Sequence, residues 1–178
     1  MRKIAKYILF DIIKWKLVGN YQFPKKCIFI VAPHTHWVDF FIAIIIRKVI
    51  NQEINFIGKE ELFKFPLGSF LRYMGGEPVK RNSKANTVDI ISDIFSKKKQ
   101  FRLGISPEGT RKKVQKWKTG FYYIAKKANV PIISVTLNFK DKETKFSEPF
   151  YITNNIETDF RYLRSFFYGV KGKIPEYS

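Results

Sequence analysis

Cysteine is almost missing from this chain: Cys27 is the only one in 178 residues. No disulfide can close within the chain, and a reducing compartment is the expected setting. Cys27 sits in the run KKCIFIV, where a thiol behaves as a small hydrophobe. Long apolar runs are missing too. The longest uncharged one, Phe40 to Ile46, falls well short of the roughly 20 residues that a membrane-spanning helix needs. The opening MRKIAKYILFDIIKWKLVGN is basic at its start, but Asp11 and Lys14 interrupt it and no small-residue cleavage site follows. It does not read as a secretory leader.

Acidic residues are scarce: 15 Asp and Glu stand against 33 Lys and Arg, a net charge of +18. Such a surface attracts polyanions, whether nucleic acid, anionic lipid headgroups or an acidic protein. Disorder is excluded as the general state, because 45% of the residues are hydrophobic and 17% are aromatic. The length suits one domain with a real core.

The N-terminal segment reads as an imperfect amphipathic helix over residues 1–20. Ile4, Ile8, Ile12 and Trp15 fall on one stripe, with Lys3, Lys6 and Lys14 turned away. Phe10 and Ile13 blur the division, and Asp11 lies close to the stripe. This helix either docks on its own domain or lies in a membrane interface.

Strand and helix patterns then alternate. Lys26 to Ala32 is a continuous β-branched apolar run, as in a strand covered on both faces. Trp37 to Ile50 predicts a helix ending in Arg47 and Lys48. Ile54 to Lys59 and Gly76 to Lys80 predict strands, with a short helix or turn from Phe65 to Tyr73 between them. A helix from about Lys84 to Lys97 would bury Val88, Ile91, Ile94 and Phe95. Phe101 to Ile105 is a strand, Thr119 to Ala128 a helix and Val130 to Phe139 a long strand, with Phe146 to Ile152 beside it. Thr158 to Gly169 is the last helix. The alternation predicts a single α/β domain with a mixed, largely parallel sheet flanked by helices.

Three polar clusters directly follow predicted strands: His34 to Asp39, Arg81, and the loop SPEGTR from Ser106 to Arg111. Ligands of open α/β sheets bind beyond the carboxyl ends of the strands, so these loops are placed to converge. Histidine is scarce as well, and both copies, His34 and His36, lie in APHTHWVDFF. On a regular helix, residues five apart do not face each other. His34 can therefore meet Asp39 only from a loop, with Asp39 in the first helical turn, and Pro33 favours that approach. A carboxylate beside an imidazole fixes its tautomer and leaves the other ring nitrogen as a general base. No serine or cysteine nucleophile accompanies the pair. A strand end and a helix cap would use the same residues. In the second loop, Glu108, Thr110, Arg111 and two lysines supply groups suited to a phosphate, while Gly109 permits a tight turn. Arg81 beside Lys80 offers another clamp.

The ordered blocks His34-x4-Asp39, GGEPVKR ending at Arg81, PEGTR from Pro107 to Arg111, and VPIISV from Val130 to Val135 resemble the glycerolipid acyltransferase superfamily. Its best-known members are the lysophosphatidic acid acyltransferases. The resemblance implies that His34 is the general base toward an acceptor hydroxyl and that Asp39 orients it. It implies direct attack on an acyl thioester, which accounts for the missing nucleophile. Arg81, Glu108, Gly109, Thr110 and Arg111 would hold the acceptor and its phosphate, and Pro131 and its neighbours would shape the acyl or donor site. The implied partners are a lyso-lipid acceptor, acyl-CoA or acyl carrier protein as co-substrate, and an anionic membrane surface. No metal or bound cofactor is implied, and no nucleic acid is expected. The implied organisation is a helix over 1–20 and an acyltransferase domain over 21–178, in a cytoplasmic protein peripheral on the inner face of the cytoplasmic membrane. The sequence departs from the family at Pro33 and His36, where asparagine and serine are usual, and it is short for the family. A basic nucleic-acid-binding module is the competing reading, and RKKVQKWK from Arg111 to Lys118 is the one stretch that fits it. A lipid-binding relative without activity, or an acyltransferase for a non-glycerol lyso-lipid, completes the alternatives.

Overall fold

Strand β2 (Lys26–Ala32) organises the molecule, and its composition explains why. Alternate residues of a strand point to opposite faces, and here both faces are buried. Cys27 and Phe29 enter one apolar cluster, while Ile28 and Ile30 enter the other. The run is therefore continuous rather than alternating, as in a strand covered by helices on each side. The computed structural model describes residues 2–79 and 86–178.

Strand β1 is short (Lys16–Val18), and β3 (Phe56–Lys59) pairs in parallel with β4 (Gly76–Val79). Strands β5 (Phe101–Ile105) and β6 (Ile132–Thr136) flank β2, both parallel to it, with Ile28 opposite Leu103 and Ile132. The sheet continues past β5 because the Asn55 N–H donates to Arg102 O at 2.7 Å and the Gly104 N–H to Asn55 O at 2.8 Å. Past β6, antiparallel bridges join Ile132 to Phe150 and Val135 to Phe146. Strand β7 (Glu143–Lys145) pairs in parallel with β1. The result is a central three-stranded sheet, β5-β2-β6, with the pairs β3-β4 and β1-β7 joined to it by isolated bridges, a mixed and largely parallel layer between helices.

Helix α1 (Arg2–Lys6) belongs to the N-terminal segment. Helix α2 (Val38–Ile50) covers the Cys27 and Phe29 face through Ile42, Ile46, Val49 and Ile50, one stripe at helical spacing. Asn51 ends it in a left-handed conformation, φ 56°, with its N–H on Arg47 O. A short α3 (Leu67–Tyr73) joins β3 to β4. Helices α4 (Thr87–Lys97), α5 (Gly120–Ala128) and α6 (Ile156–Ser165) cover the other face. Side-chain oxygens of Asn86 and Asn155 cap α4 and α6, accepting from Val88 N and Thr158 N. Tyr122 of α5 donates to the buried Asp159 Oδ2 of α6 at 2.9 Å, tying these two helices together. Burial and this carboxylate push the Tyr122 hydroxyl up to about 12.

The N-terminal helix is present, but it ends at Ile12 and buries a different stripe from the predicted one. After α1 the backbone winds more widely through Tyr7–Ile12, and the Ile13 N–H bonds Ile8 O, five residues back, at 2.9 Å. The wider turn shifts the phase of the side chains after it, while Ile4 and Ala5, ahead of it, are already set by α1. Ala5 and Leu9 face inward, whereas Ile4 and Ile12 are 62% and 61% exposed. Trp15, expected on the same helical stripe, lies beyond the helix in the core and donates Nε1–H to Thr144 Oγ1 at 3.0 Å. Lys16 to Val18 then join β7 instead of extending the helix. The segment docks on α2, where Arg2 Nε reaches Val49 O at 3.1 Å, and still presents apolar side chains outward.

Truncation of Trp15 tests whether this segment belongs to the folding unit. Trp15→Ala is expected to destabilise the protein by about 3–5 kcal/mol in urea denaturation. A loss below about 1 kcal/mol would show that the segment adds little to the core.

Candidate active site

His34 follows the carboxyl end of β2, just after the cis Ala32–Pro33 bond, and Asp39 occupies the first turn of α2. The loop between them brings Asp39 Oδ2 within 3.0 Å of His34 Nδ1. A carboxylate oxygen only accepts, so Nδ1 carries the proton of this contact, and in the neutral ring Nε2 is the acceptor nitrogen. The same Oδ2 accepts the backbone N–H groups of Thr35 and His36, each at 2.8 Å. Asp39 is buried, with its side chain 1% exposed, while the His34 side chain is 28% exposed. The acid is thus internal support, and the ring faces a space that a reactant can enter. Asp39 Oδ1 is buried without a hydrogen-bond partner among the described residues.

Glu108 adds a second support. Its Oε2 accepts the backbone N–H of His34 at 2.7 Å and lies 3.4 Å from Ser106 Oγ. The sequence treats Glu108 as part of a charged, phosphate-binding loop, but the fold buries it and aims its carboxylate at the His34 backbone. Burial pushes the Glu108 carboxyl above its ordinary 4.5 and outweighs the lowering by His34 and Ser106, while Asp39 adds a smaller upward push. The neutral acid is therefore favoured in the folded state over a wider pH range than in the unfolded chain.

The remaining loop residues turn outward. Gly109 takes φ 65°, and an added Cβ would come within 3.1 Å of Lys118 Cγ, so the turn calls for glycine. Thr110 is exposed, and its hydroxyl accepts from Lys112 N at 3.3 Å. Arg111 lines the same cleft as His34. Arg81 lies outside the described residues. His36 turns back to α2, where its Nδ1 accepts from Val38 N at 3.3 Å, and its ring lies 5.3 Å from that of Trp37.

That cleft has a volume of about 540 Å³. His34, Ser106 and Arg111 supply polar groups, and most of the wall is apolar: Phe29 and Val31 of β2, Phe40, Ala43 and Ile44 of α2, and Val135 and Leu137 at the end of β6. It combines one half-exposed imidazole and two guanidiniums, Arg47 and Arg111, with an apolar slot. The slot has no signature in the sequence because its walls come from elements far apart in the chain. Thr35 gave no signal there either; it is buried and accepts the Ile174 N–H at 3.1 Å through Oγ1.

A family model described as Acyltransferase matches residues 14–138, which carry His34, Asp39 and the Pro107 to Arg111 loop. The chain belongs to this acyltransferase family. It is 30% identical over 141 residues to a chloroplastic 1-acyl-sn-glycerol-3-phosphate acyltransferase from Brassica napus, an alignment that takes in 75% of this chain and 40% of the plant protein. The chain thus spans well under half the length of that relative. Among solved structures, the 1-acyl-sn-glycerophosphate acyltransferase PlsC from Thermotoga maritima superposes with a TM-score of 0.60, covering 92% of this chain and 78% of that one at 22% identity. This likeness establishes a shared fold.

The raised Glu108 carboxyl makes a pH prediction. A group whose value rises on folding contributes stability that is fully present below its unfolded value and lost as pH climbs through the folded one. Glu108→Gln keeps an oxygen to accept the His34 N–H but has no proton to lose. Urea midpoints of the two proteins should diverge in the variant's favour as pH rises from below 4.5, then run parallel. Curves parallel throughout would mean that Glu108 is not held up by burial.

Proposed function

We propose that this protein transfers a fatty acyl group from a thioester, acyl-CoA or acyl carrier protein, to the hydroxyl of a lyso-glycerolipid such as 1-acylglycerol-3-phosphate. The observation that carries this reading is the single imidazole, backed by a buried carboxylate, at an apolar cleft that also holds Arg111. His34 Nε2 takes the acceptor hydroxyl proton as the oxygen attacks the thioester carbon. The tetrahedral intermediate collapses, the carbon–sulfur bond breaks, and the imidazolium returns its proton to the departing thiolate. Asp39 stabilises that imidazolium and holds the ring in the required tautomer. No acyl-enzyme forms, so no side-chain nucleophile is required.

Glu108 holds the peptide of His34 in place, while the exposed turn from Gly109 to Arg111, together with Arg81, receives the acceptor phosphate. The acyl chain lies along Ala43, Ile44 and Val135. The protein works as a peripheral protein on the inner face of the cytoplasmic membrane. In support, no helix among the described residues is long and apolar enough to cross a bilayer, and Ile4, Tyr7, Ile12, Trp37 and Phe41 are exposed.

His34→Ala is expected to lower kcat by about 100- to 10,000-fold with cooperative unfolding intact. Arg111→Ala should mainly raise the KM for a phosphorylated acceptor. Near-parental turnover of the His34 variant in a steady-state assay would remove the base from this scheme. A bulkier side chain in the slot gives an independent check. Ala43→Phe should shift donor preference toward shorter acyl thioesters in a competition assay, and an unchanged preference would place the chain elsewhere.

A further inference from the structure

A second concavity, about 670 Å³, lies on the other side of the start of α2 and takes no part in the scheme above. Four lysines line it: Lys140, Lys142, Lys171 and Lys173. No acidic side chain does so among the described residues, and none of these lysines forms an ion pair there. The floor is apolar, built from Trp15, Ile42 and Phe139, with the Trp15 and Phe139 rings edge to face at 5.0 Å. Lys173 Nζ lies over the Phe139 ring at 5.8 Å, and Asp141, between Lys140 and Lys142, is taken up by Asn138 Nδ2 at 2.8 Å. Four cations without an ion pair beside an aromatic floor suit a ligand that is anionic at one end and hydrocarbon at the other.

The lysines are held on defined backbone. Asn138 and Glu143 exchange N–H···O bonds of 2.9 Å in both directions and close the turn that carries Lys140 and Lys142. The Lys16 N–H donates to Lys142 O at 2.7 Å, and the Phe139 N–H to Lys171 O at 2.8 Å. These bonds bring the two lysine pairs together from segments thirty residues apart. The neighbourhood matches the chemistry. Ile13 lines the concavity, and the preceding helical turns expose Ile4, Tyr7, Phe10 and Ile12. Val38 and Ile42 border it from α2, while their neighbours Trp37 and Phe41 line the catalytic cleft and are themselves exposed.

We propose that this lysine-rimmed concavity is a binding site for one anionic phospholipid, its phosphate on the four ammonium groups and the first carbons of its chains on Trp15 and Phe139. The site is separate from the acceptor position beside His34 and needs no turnover to be filled. It is also tied to the catalytic loop. The strand of chain bearing Lys171 and Lys173 continues to Ile174, whose N–H bonds Thr35 Oγ1, and Gly172 packs so closely on Thr35 that an added Cβ would lie 2.6 Å from it.

The test uses water-soluble dihexanoyl lipids, below micelle formation and without an acyl donor, with binding followed by calorimetry. Dihexanoyl-phosphatidylglycerol should bind saturably, one per protein, and more tightly than dihexanoyl-phosphatidylcholine or inorganic phosphate. Replacing Lys140, Lys142, Lys171 and Lys173 together by Gln should weaken it on the order of a hundredfold. The same replacement at the exposed Lys25, Lys97, Lys99 and Lys126, away from the concavity, removes equal charge and should leave it unchanged. Equal loss in the two quadruple variants would reduce the effect to general charge and overturn the site. Unaltered binding in the first variant would place the lipid elsewhere, the catalytic cleft included, and also overturn it. Equal affinity for inorganic phosphate would show an anion site in which the apolar floor has no part, and would overturn the phospholipid assignment. Because no acyl transfer is measured, none of these results depends on the activity proposed for His34.

Discussion

One buried oxygen holds the functional centre together. Asp39 Oδ2 receives the Nδ1–H of His34 and the backbone N–H groups of Thr35 and His36, so ring and loop are fixed by a single atom. A buried N–H left without an acceptor costs about 1–3 kcal/mol, and the Thr35 N–H, the buried one of the three, finds its acceptor here. Asp39 is therefore a folding residue for its loop as well as a partner for the ring. Glu108 completes the support from a different strand end by taking the His34 N–H. The imidazole is constrained from two directions and open to the cleft on its remaining side.

The sheet makes this convergence possible. Strands β2 and β5 are parallel neighbours, so the chain leaves both at the same edge, and His34 and Glu108 follow them there. Parallel pairing also requires helical crossovers, and the crossover leaving β2 is α2, which brings Asp39 with it. The architecture and the site are consequences of the same connectivity.

Much of this was legible in the chain. Strand β2 showed itself as a run with no polar break, because both of its faces are covered. The His34 and Asp39 geometry followed from helical azimuth, since five residues on one helix could not have met. Other features had no local signature. Strands β1 and β7 are three residues each, rich in lysine and held by a pairing across more than a hundred residues. The stripe of Ile4, Ile8 and Ile12 starts on the outside because α1 already turns Ala5 inward, and the wider turn that follows leaves Ile12 outside as well. Glu108 sits among cations in the sequence and invites a reading as a surface group. Its actual neighbours, the His34 peptide and Ser106, are chosen by the sheet. The apolar slot was illegible for the same reason: its walls come together only in three dimensions.

Helix α2 holds Asp39, the carboxylate beside His34, in its first turn and walls the apolar slot with Phe40 of that turn and Ala43 and Ile44 of the next. Ala43 and Ile44 stand four and five residues from Asp39 on the same helix, so slot wall and carboxylate share one axis. Under the proposed scheme, the size of the bound tail and the alignment of the imidazole are therefore read through a single element.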